Sequence, residues 1–172
     1  MRIAILGAAL VLLAACSPVC GGPATAGSAG CGHPGLCLTL SGPLAGTTSL
    51  VQAPDCIPGG GIDLEFITHV GGHETSIEIL VTDNSTKTGF HPGSFSISPS
   101  KGARKDVAFA SVFIKPDSDV AGYTGGWSTD QTGSSGTVVV NGDQSGKVQD
   151  AVVAPAKGSG TPLHVSGTFN CK

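Results

Sequence analysis

The sequence predicts an all-β fold: one antiparallel β-sandwich, with a β-barrel as the alternative. Three observations predict it. Short runs of alternating apolar and polar residues recur from Leu36 onward, the period of a strand with one buried face. Clusters of Gly, Pro, Asn and Asp separate those runs, and the 172 residues include 27 Gly and 11 Pro. No window of a dozen residues carries the apolar stripe of a helix. Regularly spaced strands without helices favour a sandwich or a barrel.

The first element is a secretory signal over residues 1–15. Arg2 supplies its positive start, and Ile3 to Leu13 form an apolar run too short for a stable membrane span. Leu13-Ala14-Ala15-Cys16 ends that run. This stretch resembles the lipobox of bacterial lipoproteins, a small-residue cleavage site followed at once by Cys. The resemblance implies cleavage before Cys16 and a diacylglycerol on its sulfur. Two acyl chains anchor a protein stably where one is marginal. Ser17 in place of Asp implies no inner-membrane retention in a cell with an outer membrane. The chain is then expected in the cell envelope, lipid-anchored outside the cytoplasm, at a membrane surface or in the periplasm.

Residues 16–35 are Gly, Pro, Ala and Ser with almost nothing large and apolar. Such a segment cannot bury enough surface to offset its ordering entropy, so it reads as a flexible, lipid-anchored tether. The β domain is expected over residues 36–172. Its length of about 135 residues suffices for one core that hides about two-thirds of the unfolded surface. Leu36, Leu38 and Leu40 open it with strict alternation. "IDLEF", "SIEILV", "SFSIS", "VAFASVFI", "TVVVN", "KVQDAVV" and "LHVSGTF" follow as strands.

The stretch "ITHVGGHE" joins two of these runs. Glycine tolerates positive φ at both central positions of a type I′ turn, so Gly71-Gly72 reads as a two-residue hairpin loop. Val70 then faces His73, His69 faces Glu74 and Thr68 faces Thr75. Further down, Phe66 meets Ile77, Leu64 meets Ile79 and Ile62 meets Val81, all six on one face. Glu65 falls opposite Glu78, a mild repulsion that water on an exposed face makes tolerable. His69 and His73 fall on opposite faces, which argues against a shared metal.

Six cysteines raise disulfide and metal chemistry. Cys20, Cys31, His33 and Cys37 supply three thiols and an imidazole, but their spacing matches no compact zinc motif. Outside the cytosol thiols oxidise, so disulfides are the better expectation. Lipidation of Cys16 leaves an odd number of cysteines. Cys31 and Cys37 can close a small loop through Pro34 and Gly35, leaving Cys20 over. Cys171 shares strand parity with Leu163, Val165 and Phe169, and a bridge to Cys56 would tie the last strand to the start of the second. That long loop is worth about 4 to 5 kcal/mol in the chain-entropy account.

The whole layout resembles the mycobacterial LpqH-type lipoprotein antigens and other small surface lipoproteins. The likeness lies in a lipobox, a small-residue tether, a Gly-rich β domain, an early Cys and a last strand ending in Cys, and "SGKVQDAVV" with "TPLHVSGTFNCK" carries it. The resemblance implies a surface-anchored β-sandwich and brings no catalytic residue. The additional Cys20 and Cys31 depart from that pattern.

Charge and motifs narrow the function. A net charge of -3 with 9 Lys+Arg provides no footprint for nucleic acid and no basic run for anionic lipid. No G-x-S-x-G elbow surrounds any Ser. "HETSI" starts like a zincin helix but lacks the second His and lies in a strand. "GFHPGSF" resembles a fragment of the copper–zinc superoxide dismutase motif, with Gly93 where its second His would stand. Asp117 and Asp119 offer oxygens to Ca²⁺ without a full loop pattern. Asn84-Ser85-Thr86 fits a glycosylation sequon that a bacterial lipoprotein has little use for. Tyr123 and Trp127 flank "TGG" in the most aromatic loop, where exposed rings would stack on sugars and buried ones would serve the core. The leading expectation is a non-catalytic surface lipoprotein with a structural or interaction role, needing no metal or cofactor. Its partners would be the membrane, through the anchor, and an envelope or extracellular protein or glycan. A small-molecule or glycan-binding module using Tyr123 and Trp127 stands second, and an enzyme third.

Overall fold

The computed structural model describes residues 35–50, 55–58, 61–83, 91–97 and 108–170. They form an all-β domain of twelve strands: β1 (Leu36–Ser41), β2 (Gly46–Thr47), β3 (Ser49–Leu50), β4 (Asp55–Pro58), β5 (Gly61–Val70), β6 (His73–Asp83), β7 (Gly93–Ser96), β8 (Ala108–Pro116), β9 (Trp127–Ser128), β10 (Ser135–Val140), β11 (Gly146–Pro155) and β12 (Leu163–Phe169). Every ladder is antiparallel, and one isolated parallel bridge joins Ile97 to Ala110. Each of the eight runs predicted as strands contains a strand among the described residues. The short β2, β3, β4 and β9 have too few residues to show a period.

The β5–β6 hairpin has the predicted register in full, from Ile62↔Val81 to Val70↔His73. Gly71 and Gly72 have φ of 57° and 87°, the pair of positive angles a type I′ turn demands. Leu64, Phe66, Ile77, Ile79 and Val81 are wholly buried. Each such side chain contributes about 1.5–3 kcal/mol relative to exposure. His69 and His73 project to opposite faces, as expected.

The sheet wraps nearly into a barrel. From β1 it runs through β12, β11, β9, β8 and β6 to β5, while β10 and β7 cover the stretch of β11 that β9 does not reach. Its two edges approach each other through residues 46–50, where β2 pairs with β1 and β3 pairs with β5. Thr48 sits between these short strands and is buried. Its N–H donates to the Leu38 carbonyl at 2.8 Å, and its Oγ1 accepts the Leu38 N–H at 2.9 Å. Thr129, just past β9, is buried likewise. Its N–H donates to the Val112 carbonyl at 3.0 Å, and its Oγ1 accepts the Val112 N–H at 2.9 Å.

"KVQDAVV" breaks strict alternation, and the structure gives the reason. Register shifts between Val148 and Ala151, with Asp150 at φ 48°. This β-bulge turns Val148, Ala151 and Val153 all inward despite their uneven spacing. Gly136 on β10 faces the bulge, and a Cβ there would lie 2.6 Å from the Ala151 Cα.

Leu36, Phe169, Gly146, Val140 and Gly93 form one continuous row across five strands. The described chain therefore enters and leaves at one pole, where the Asn170 N–H also donates to the Gly35 carbonyl. The loops 42–45, 71–72, 117–126 and 156–162 gather at the opposite, far pole.

Cys37 lies on the outer side of β1 opposite Thr168 and is disulfide-bonded. Cys16, Cys20, Cys31 and Cys171 lie outside the described residues. Cys56 stands in β4 opposite Leu64. The expected Cys56–Cys171 bridge, the expected signal over residues 1–15 and all but Gly35 of the expected tether over residues 16–35 likewise fall outside what is described.

Two tests follow, one from the packing and one from the sequence expectation for Cys171. Thr48→Val and Thr129→Val keep the side-chain shape but leave a buried N–H of Leu38 or Val112 without its acceptor. Each should lower unfolding free energy by about 1–3 kcal/mol in chemical denaturation, and Thr→Ser should recover most of the loss. Non-reducing peptide mapping should find Cys171 joined to Cys56. Finding Cys171 free, or joined to Cys20 or Cys37, would sink that pairing.

Candidate functional site

Alternation places Ser76 and Glu78 of β6, and Phe113 and Lys115 of β8, on the outer face of the sheet. The register sets Glu78 beside Phe113 and Ser76 beside Lys115. The chain approaching and leaving β9 stands over this surface as a wall. Gly126 makes that approach possible: its φ is 77°, and a Cβ there would overlap the Ile114 carbonyl oxygen. Between floor and wall lies a groove of 360 Å³, closed on the far side by Trp127, Ser128, Asp130 and Gln131. A second hollow of 310 Å³, bounded by Ile67, Glu74 and Asp117, continues it across Ser76 and Lys115.

Glu78 carries the electrostatics of this groove. Burial pushes its carboxyl above the ordinary glutamate range, and the carboxylates of Asp63, Glu65 and Asp130 push it further. The Glu65–Glu78 pairing is as predicted, but only Glu65 is freely exposed: Glu78 is half-buried, so the repulsion is felt there. No ion pair joins Glu78 to a cation among the described residues.

Tyr123 and Trp127 do come together, with ring centroids 5.0 Å apart and planes inclined by 36°. They are tied into the fold, the core role that the sequence offered beside stacking. Trp127 is 1% exposed and belongs to the core. Its Nε1–H donates to the Thr161 carbonyl at 3.3 Å, while the Tyr123 hydroxyl accepts the Thr161 N–H at 2.6 Å. Both polar handles thus grip one residue of the 156–162 loop, and Gly160 lies against the Tyr123 ring with no room for a Cβ. Of the pair, Trp127 reaches the groove, as part of its lining.

One cluster escaped the sequence reading. At the far pole the His73 Nδ1 lies 3.1 Å from the Ser118 Oγ and 3.6 Å from the Asp117 Oδ1. The residues are those of a hydrolytic triad, but the arrangement is not. Base catalysis needs the two ring nitrogens to face different partners, whereas here one nitrogen faces both. The Ser118 hydroxyl donates instead to the Asp117 Oδ1, at 3.1 Å. Asp119 accepts from Thr124 at 3.2 Å, and exposed His91 lies 3.4 Å from the buried Asp83. Among the described residues, no three His, Cys, Asp or Glu gather in a metal-binding group.

The shifted carboxyl has a consequence for stability. A raised folded-state pKa means that Glu78 contributes most below its unfolded pKa, and that contribution is lost as pH rises through the folded value. Glu78→Gln should therefore melt higher than the parent at pH 7, by about 1–2 °C for an effect this solvent-screened. The gap should close on acidification below the ordinary glutamate range. Thermal melts at several pH values check both.

Comparison of the chain with protein families, with curated proteins and with solved structures finds no match in any of the three.

Proposed function

We propose that this protein is a lipid-anchored component of a bacterial cell envelope, held outside the cytoplasm, with a β domain in a structural or interaction role. The observation that carries the reading is the polarity of the domain. β1 begins and β12 ends at the same pole. A tether from a lipidated Cys16 would enter there and leave the far-pole loops and the flank of β6 and β8 turned outward. The signal, the Leu13-Ala14-Ala15-Cys16 stretch and the weak LpqH-type likeness support the same reading. The geometry of the His73, Asp117 and Ser118 cluster favours a non-catalytic role.

A second reading, a small-molecule-binding module, is favoured by the groove over Glu78 and Phe113. Polar groups converge there from β6, β8 and the segment after β9, as a binding cleft requires. The glycan form of this reading loses its two stacking rings to the core and the 156–162 loop.

Fractionation tests the anchor. The parent chain should sediment with membranes and carry a diacylglyceryl adduct by intact mass, and Cys16→Ser should move to the soluble fraction. Equal membrane retention of that variant would overturn the proposal.

A further inference from the structure

Asn141 is the one asparagine in the sequence that a glycine follows. It opens the loop between β10 and β11, and Asn141, Gly142 and Asp143 are all exposed. An Asn-Gly pair between strands ordinarily serves a type I′ turn, which needs positive φ at both residues. Here neither has it, and Gln144 carries the positive φ of the loop, 65°. Gly142 is therefore not demanded by the fold. A Cβ there would meet only the Pro92 Cγ, at 3.7 Å, an ordinary contact. Other groups close the loop. The Asn141 N–H donates to the Ser145 carbonyl at 2.8 Å, and the Gln144 N–H donates to the Asn141 carbonyl at 3.1 Å. The Gly142 N–H makes no hydrogen bond with the described residues.

We infer that Asn141 is a modification site, converted through its own backbone neighbour to aspartate and isoaspartate, and that Ser145 restrains the conversion. Hydroxide takes the exposed Gly142 N–H proton, and that nitrogen attacks the Asn141 Cγ. The N–Cγ bond forms, the Cγ–Nδ2 bond breaks, and Nδ2 leaves as ammonia after taking a proton from water. Water then opens the cyclic imide at either carbonyl. The sum is asparagine plus water giving aspartate or isoaspartate plus ammonia, with nothing oxidised or reduced. Glycine favours the attack because no Cβ crowds its nitrogen. The Ser145 Oγ accepts the Asn141 Nδ2–H at 2.9 Å and donates to the Asp143 Oδ1 at 2.6 Å. Its proton thus points away from Nδ2 and gives the leaving group no help. The bond also opposes the rotation of the amide that attack requires. Conversion adds one negative charge to a chain of net charge -3, two residues from Asp143. Isoaspartate also adds a methylene to the main chain, at the pole where β1 begins and β12 ends.

The test is peptide mapping of the full-length chain in detergent micelles after warm incubation in oxygen-labelled water. The peptide spanning residues 141–142 should appear in aspartyl and isoaspartyl forms that carry the label, and faster as pH rises. Gly142→Ala, which the loop accommodates, should slow the conversion about tenfold or more. Ser145→Ala should hasten it about fivefold, the factor for one hydrogen bond of ordinary net strength. An Asn141 that stays intact in the folded chain, at a pH where the urea-unfolded chain converts, would overturn the proposal. Conversion at an equal rate in Gly142→Ala would overturn it too, since the amide would then be hydrolysed directly. Conversion of Ser145→Ala no faster than the parent would overturn the restraint assigned to Ser145.

Discussion

The sheet depends on how its edges are hidden. An open strand edge presents a row of unpaired N–H and C=O groups, costly when buried and adhesive when exposed. In an antiparallel strand, one residue directs its N–H and its C=O to the same side. Leu38 and Val112 do so at two places where a full-length neighbour is missing. Each is met by a two-residue strand and then by a buried threonine, whose backbone N–H serves the carbonyl and whose hydroxyl serves the N–H. Thr48 and Thr129 thus perform for one residue what a longer strand would perform for several. A valine there would have the shape and the β propensity without the acceptor.

The second of these junctions also builds the groove. Thr129 turns inward to Val112, so its neighbours Ser128 and Asp130 stand at the groove wall. The Ser128 hydroxyl accepts the Asp130 N–H at 3.0 Å, and the Ser134 hydroxyl donates to the Ser128 carbonyl at 3.3 Å and accepts the Ala154 N–H at 3.2 Å. The wall is therefore held by hydrogen bonds to β11 and by its own turn. Trp127, one step earlier, fixes the other side by packing in the core and bonding to Thr161. A site on such supports can hold its carboxylates at fixed separations, which a mobile loop could not do.

What the sequence made legible was whatever repeats with a period of two or is dictated by a turn. The β5–β6 register followed from Gly71-Gly72, because the turn sets the pairing and six apolar side chains then agree on a face. The bulge at Asp150 was not legible in "KVQDAVV", which reads as one more of the short strand runs. The seams were not legible: Thr48 and Thr129 read as ordinary polar residues between short runs, and their role exists only once distant edges meet. The groove was hidden for the same reason. Phe113 and Lys115 read as outward positions on one strand, and nothing local says that residues 125–131 will stand over them. Tyr123 and Trp127 pack together, but their partner Thr161 lies 34 residues beyond Trp127, so the pinning of both handles could not be read from composition.

Glu78 is the point where local energetics and the fold disagree. On an outer face of β6 any polar side chain satisfies alternation, and a glutamine would do so without losing hydration or facing three carboxylates. Solubility does not account for the choice, since the exposed Glu65 and Glu74 on the same face supply negative charge at less desolvation cost. Edge protection does not account for it either, because β6 is paired on both sides, with β5 and with β8. What distinguishes the position is its place on the groove floor beside Phe113. A carboxyl held above its ordinary range in a cleft is a mark of function when no structural pairing explains it. Among the described residues no cation pairs with it, and an open groove leads to it.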